Sequence, residues 1–185
     1  MHKYLYPRIT KEELIFIVKC ALLGAFIAGI YGIIHDQITF SISPEYFTKV
    51  KFKQFHYADF GLGNRIFVAT IGFLATWWVG FFAGWFFARI FSAKQGLANA
   101  QKSVINGFII VFVSGFLSAT LVGLCSYLIV TQNNIDQSWS YTLSSYGIKN
   151  TSAFMRVVYI HYASYAGGFI GIILSLVFIK PLKTV

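Results

Sequence analysis

A chain of 185 residues that is 57% hydrophobic and only 11% charged has too little polar surface to cover a soluble globule of its size. Its net charge of +9 comes from basic residues scattered over tails and loops. No dense basic run appears, so nucleic acid is not expected as a partner and anchoring at a membrane surface accounts for the charge better.

Four apolar stretches organise the sequence: Leu14 to Ile34, Ile66 to Ala88, Val104 to Val130 and Phe154 to Ile179. Crossing about 30 Å of hydrocarbon takes about 20 helical residues, so each is long enough to span a bilayer. The expected fold is an all-α integral membrane bundle of four transmembrane helices, in one domain covering residues 1–185. Only Lys19 and Arg156 bring formal charge into the stretches.

The N-terminal tail is short and basic with Pro7, and Thr10 is placed to cap the first helix. That first span is longer than a secretory apolar region, lacks a small-residue cleavage pattern after it, and is expected to be retained. A first outer loop, residues 35–65, carries alternating Ile38, Phe40 and Ile42, then Pro44, then Val50 and Phe52 alternating with Lys49, Lys51 and Lys53. Period-2 alternation about a proline turn predicts an extracytoplasmic β-hairpin-like cap lying over the helix ends.

Residues 89–103 read as an inner loop around Gly96, and residues 131–153 as a second outer loop rich in Asn, Ser and aromatics. Beyond the last span, Pro181, Lys180 and Lys183 end the helix and anchor it. Eight Lys and Arg fall with the termini and middle loop (Lys3, Arg8, Lys11, Arg89, Lys94, Lys102, Lys180 and Lys183). Five fall on the other side (Lys49, Lys51, Lys53, Arg65 and Lys149), so both termini are expected in the cytoplasm. Cys20 and Cys125 lie at opposite ends of their spans and are expected to be buried, unbridged small residues.

Small residues recur every fourth position in each span, for example Gly24, Ala28 and Gly32, or Gly72, Thr76, Gly80 and Gly84. Such faces let helices approach closely in lipid, and packing is their sufficient explanation.

Polar chemistry collects in the outer half. Tyr31, His35, Asp36 and Gln37 stand where the first span leaves the membrane, with Glu45 beyond them and Asn64 and Arg65 before the second span. In the last span, Arg156, His161, Ser164 and Tyr165 occupy the first turns. An ionisable residue at the depth of His161, about 10 Å below the start of that span, is costly unless partnered, which favours a polar pocket between spans one and four.

No His-x-x-x-His, Glu-x-x-His or Cys-x-x-Cys spacing occurs, so no metal site is expected, and His35 and His161 are expected at different levels, unsuited to a shared haem. Asp36 with Glu45 as an acid–base pair, or Ser164 with His161 as nucleophile and base, are weak templates, and no phosphate loop or cofactor motif is present.

The runs Tyr31-Gly32-Ile33-Ile34-His35-Asp36-Gln37-Ile38-Thr39, Ser43-Pro44-Glu45-Tyr46-Phe47 and His161-x-x-Ser164-Tyr165-x-Gly167-Gly168 resemble a group of small bacterial inner-membrane proteins that have no assigned activity. The resemblance implies the inner membrane and marks these residues as important, without implying a reaction. Two functional classes stay open. One is a binding or accessory protein whose pocket holds a lipid head group, a small solute or a partner, which could be another membrane protein or a second copy. The other is a small membrane enzyme or transporter using His35, Asp36, Glu45 and His161.

Overall fold

The computed structural model describes residues 9–131 and 134–179, so the expected tail features at Lys3, Pro7, Arg8, Lys180, Pro181 and Lys183 lie outside the described residues. Five α-helices follow in order: α1 (Lys11–Ile42), α2 (Phe52–Gln54), α3 (Asn64–Ile129), α4 (Ser140–Ser145) and α5 (Thr151–Phe178). Three of these, α1, α3 and α5, are long and apolar enough to cross a membrane.

This corrects the expected four spans. The second and third apolar stretches belong to one 66-residue element, α3, and the expected inner loop at 89–103 is helical except at Gly96. A straight helix of that length would reach about 100 Å. Gly96 instead has φ 75° and ψ 166°, a conformation open essentially to glycine alone, and there the helix folds back on itself. The two arms meet beside the bend: Phe87 packs on Phe108 and Gln95 Nε2 donates to Ser103 Oγ at 2.6 Å. The short connection keeps both arms helical right up to the bend and needs only one residue outside helical geometry.

The hairpin is also corrected: there is no strand among the described residues. Helix α1 runs through Ile38, Phe40 and Ile42, and Thr39 Oγ1 donates back to the His35 carbonyl at 3.0 Å. It stops at Ser43, whose extended φ of −142° and ψ of 94° are what a residue before proline prefers. After Pro44 the chain makes a π-helical turn (Tyr46–Lys51), α2, and a 3₁₀ turn (His56–Ala58). Three alternating apolar residues are too short a signal to outweigh a helix already propagating for seven turns. The cap is docked all the same. Phe47 is fully buried against Phe40 and Val68, and Tyr46 and Val50 pack on the cluster of Phe154, Met155 and Val158.

The start of α1 follows expectation: Thr10 Oγ1 accepts from the Glu13 N–H at 3.2 Å while the Glu13 carboxylate accepts from the Thr10 N–H at 3.1 Å. Cys20 and Cys125 are unbridged, but Cys125 is exposed rather than buried.

Packing resolves into two helix pairs. Helix α1 lies on the first arm of α3 so closely that a Cβ on Gly32 would strike the Gly72 carbonyl oxygen, and one on Gly72 would strike that of Gly32. Thr76 Oγ1, 2.7 Å from the Ala28 carbonyl oxygen, adds a hydrogen bond between the same two helices. Helix α5 lies on the second arm, where Ser175 Oγ donates to the Gly107 carbonyl at 3.2 Å. Helices α1 and α5 pack chiefly on α3 and touch each other little. The pairs join at the Gly96 end through a cluster containing Ile17, Phe87, Phe91 and Phe108, and at the opposite end through the polar residues described next.

Candidate functional site: a polar junction above an apolar cavity

Asp36 on α1 and His161 on α5 are both buried, and His161 Nε2 stands 3.2 Å from Asp36 Oδ1. The other ring nitrogen, Nδ1, is 2.9 Å from the Val157 carbonyl oxygen. A carbonyl only accepts, so Nδ1 carries the hydrogen and Nε2 faces the carboxylate. One turn toward the bend, the Tyr31 hydroxyl and Ser164 Oγ share a 2.6 Å hydrogen bond between the same two helices.

His35 completes the group. Its ring stacks on Tyr31 at 5.6 Å and stands edge-on to His161 at 4.7 Å between centroids, while its buried Nε2 has no hydrogen-bond partner among the described residues. The two histidines are therefore at one level after all, and too close together to hold a haem between them.

Below this junction, between the two helix pairs, lies a cavity of about 580 Å³. It follows α1 from Gly24 to Asp36, about 18 Å of helix. Tyr31, His35, Asp36, Ser164 and Tyr165 line its polar end, and the rest is formed by carbon-rich side chains such as Trp78, Phe108 and Ile172.

The expected site residues divide by location. Tyr31, His35, Asp36, His161, Ser164 and Tyr165 come together. Gln37 and Arg65 form a separate clamp: Arg65 donates to the Gln37 carbonyl at 3.0 Å and to Gln37 Oε1 at 3.1 Å, and Gln37 Nε2 donates to the Arg65 carbonyl at 2.7 Å. Arg156 turns away, donating to the Val130 carbonyl at 3.1 Å with its guanidinium over Tyr127. Asn64 is exposed at the start of α3.

Glu45 is no partner for Asp36. Its carboxylate accepts from the Asn150 N–H at 2.8 Å and the Lys149 N–H at 3.0 Å, tying the cap to the second loop. The Asn150 N–H, reinforced by that of Lys149, holds the Glu45 carboxyl below its ordinary range. Ser164 bonds to Tyr31 rather than His161, which removes the nucleophile–base template.

Sequence reasoning left Tyr46 out of the site although it stands in the Ser43-Pro44-Glu45-Tyr46-Phe47 run, and its ring covers His161 at 4.8 Å between centroids; it also missed the carbonyl of Val157. Tyr46 reads as one aromatic among many, and a backbone acceptor four residues back leaves no mark in composition.

No family model, curated protein or solved structure matches this chain. Its site is accordingly read from its own geometry. The arrangement can grip a molecule that is apolar over most of its length and polar at one end, and it can hold a cation or proton between imidazole and carboxylate.

Proposed function

We propose that this is an integral protein of a bacterial inner membrane that binds a single amphipathic, lipid-like molecule in the cavity between its helix pairs. The observation that carries the reading is the shape and chemistry of that cavity: long, lined mostly by carbon, with its ionisable groups gathered at the end where Tyr31, His35, Asp36 and Ser164 converge. A water-soluble solute would leave most of the lining unmatched, whereas an acyl or isoprenoid chain matches it. Its polar end would lie beside the Tyr31–Ser164 and Asp36–His161 pairs, both on the cavity's rim or directly behind it.

The cytoplasmic side is assigned to the Gly96 end, where Lys11, Arg89, Lys94 and Lys102 gather on α1 and around the bend. The polar end then opens toward the outer leaflet, with the docked cap over it.

Gly168 provides the test, because it lines the cavity and a Cβ there meets only open space. The protein is extracted into nanodiscs and examined by native mass spectrometry, unsubstituted and as Gly168→Leu. The expected result is one apolar molecule retained per chain and its loss from the folded variant. Equal retention in both, or no molecule enriched over bulk lipid, would overturn the reading.

A further inference from the structure

We infer that His35, Asp36 and His161 form a binding site for one divalent transition-metal ion. Two imidazole nitrogens and a carboxylate oxygen from these residues lie within 4.8 Å of one another, on two different helices. This goes beyond the lipid-like occupant and does not depend on it.

The hydrogen-bond geometry is the first argument. The Val157 carbonyl holds a proton of His161 on Nδ1, which aims Nε2 straight at a carboxylate oxygen 3.2 Å away and leaves it able to ligate an ion there. A second proton or a metal ion bound there would satisfy both atoms, and the remaining observations favour the metal. Held Nδ1–H to a backbone carbonyl is also how a metal-bound histidine is commonly oriented.

His35 is the second argument. A buried ring nitrogen without a partner is expensive, and the unpartnered atom here is Nε2, one of two positions from which imidazole ligates metal. Lys51, on the cap, sets its ammonium over the rings of Tyr46 and Phe55, at 5.8 Å from each centroid. It offers no direct pairing to the carboxylate.

The donor set points to the ion. Two nitrogens and one oxygen suit zinc, iron or manganese, and supply too few oxygens for calcium or magnesium. Ligand atoms about 2.1 Å from a tetrahedral ion stand about 3.4 Å apart, so the group must close by up to about 1.4 Å, and His35 borders the cavity. Three protein ligands leave a coordination position, and His35 and Asp36 both border the cavity, so that position faces it.

The full chain, purified without a polyhistidine tag and stripped with chelator, is titrated with Co²⁺ alone and followed by its visible absorption. One Co²⁺ per chain, displaced by Zn²⁺, is expected. His35→Phe keeps an aromatic ring in place and removes both ring nitrogens, of which the buried Nε2 has no partner to lose, so it should stay folded. It should weaken binding by more than the roughly tenfold to hundredfold that an outer-shell loss costs. His56→Gln, on the exposed 3₁₀ turn, should leave binding unchanged. Binding that survives His35→Phe or follows His56 would overturn the site. An arm that needs no variant is pulsed electron paramagnetic resonance of the Cu²⁺-loaded protein, which counts coordinated imidazoles. Two support the site, and one or none overturns it.

Discussion

Asp36 and His161 are 125 residues apart in the chain, yet their carboxylate and imidazole meet at 3.2 Å inside a junction where both side chains are buried. The contact joins the α1 pair of helices to the α5 pair at the end remote from Gly96, with the Tyr31–Ser164 bond beside it. Its loss should therefore be felt in stability as well as in binding.

Replacing His161 by Leu strands the Asp36 carboxylate in an apolar setting and should cost roughly 3 kcal/mol. His161→Leu combined with Asp36→Leu should cost less than the sum of the two single changes, because the stranded partner is removed too. Thermal midpoints in one detergent for the three variants check this, and simple additivity would show the pair to be uncoupled.

At the α1–α3 contact, a methyl on Gly32 collides with backbone that cannot move aside, so Gly32→Ala should destabilise by about 1–3 kcal/mol. Gly168→Ala meets open space and should be neutral or slightly stabilising, since alanine favours the helix. Equal midpoints for the two would contradict the close approach.

The Glu45 clasp between cap and second loop predicts a pH effect of defined sign. Its folded carboxyl lies below the ordinary value of 4.5, so the stabilisation is complete above that value and is lost as pH falls through the depressed one. Hydrogen-exchange protection of the Lys149 and Asn150 amides should fall on acidification through that window. In Glu45→Gln the protection should be lower at neutral pH and nearly independent of acid.

Orientation is checked by reporter fusions. A fusion at Lys94 and one after Val185 should report cytoplasm, and one near Lys149 should report the exterior. An external signal at Lys94 would turn the polar junction toward the cytoplasm.

Much was legible in the residues because it is local. Long apolar runs announce membrane-length helices, Thr10 and Glu13 announce a cap three residues apart, and small residues every fourth position announce close-packed faces. His161 was conspicuous as an imidazole deep in an apolar run. Local patterns misled where two local rules competed: Ile38, Phe40 and Ile42 alternate as a strand would, but they follow an unbroken helix, and hydrogen bonds already formed along α1 extend it to Ile42. Gly96 looked like the middle of a loop, whereas a single positive φ suffices to turn α3 back on itself.

What the sequence determined by itself was therefore the presence of long apolar helices and the few polar residues set among them, since each depends on neighbours within a turn or two, whereas their number and limits were not legible. Only the tertiary structure decided that His35 would meet His161, that Glu45 would bind the second loop instead of standing by Asp36, and that a cavity would remain between the two helix pairs. Those outcomes depend on which small-residue faces interlock and where α3 folds back. Side chains from distant parts of the chain acquire their partners only once that packing is in place.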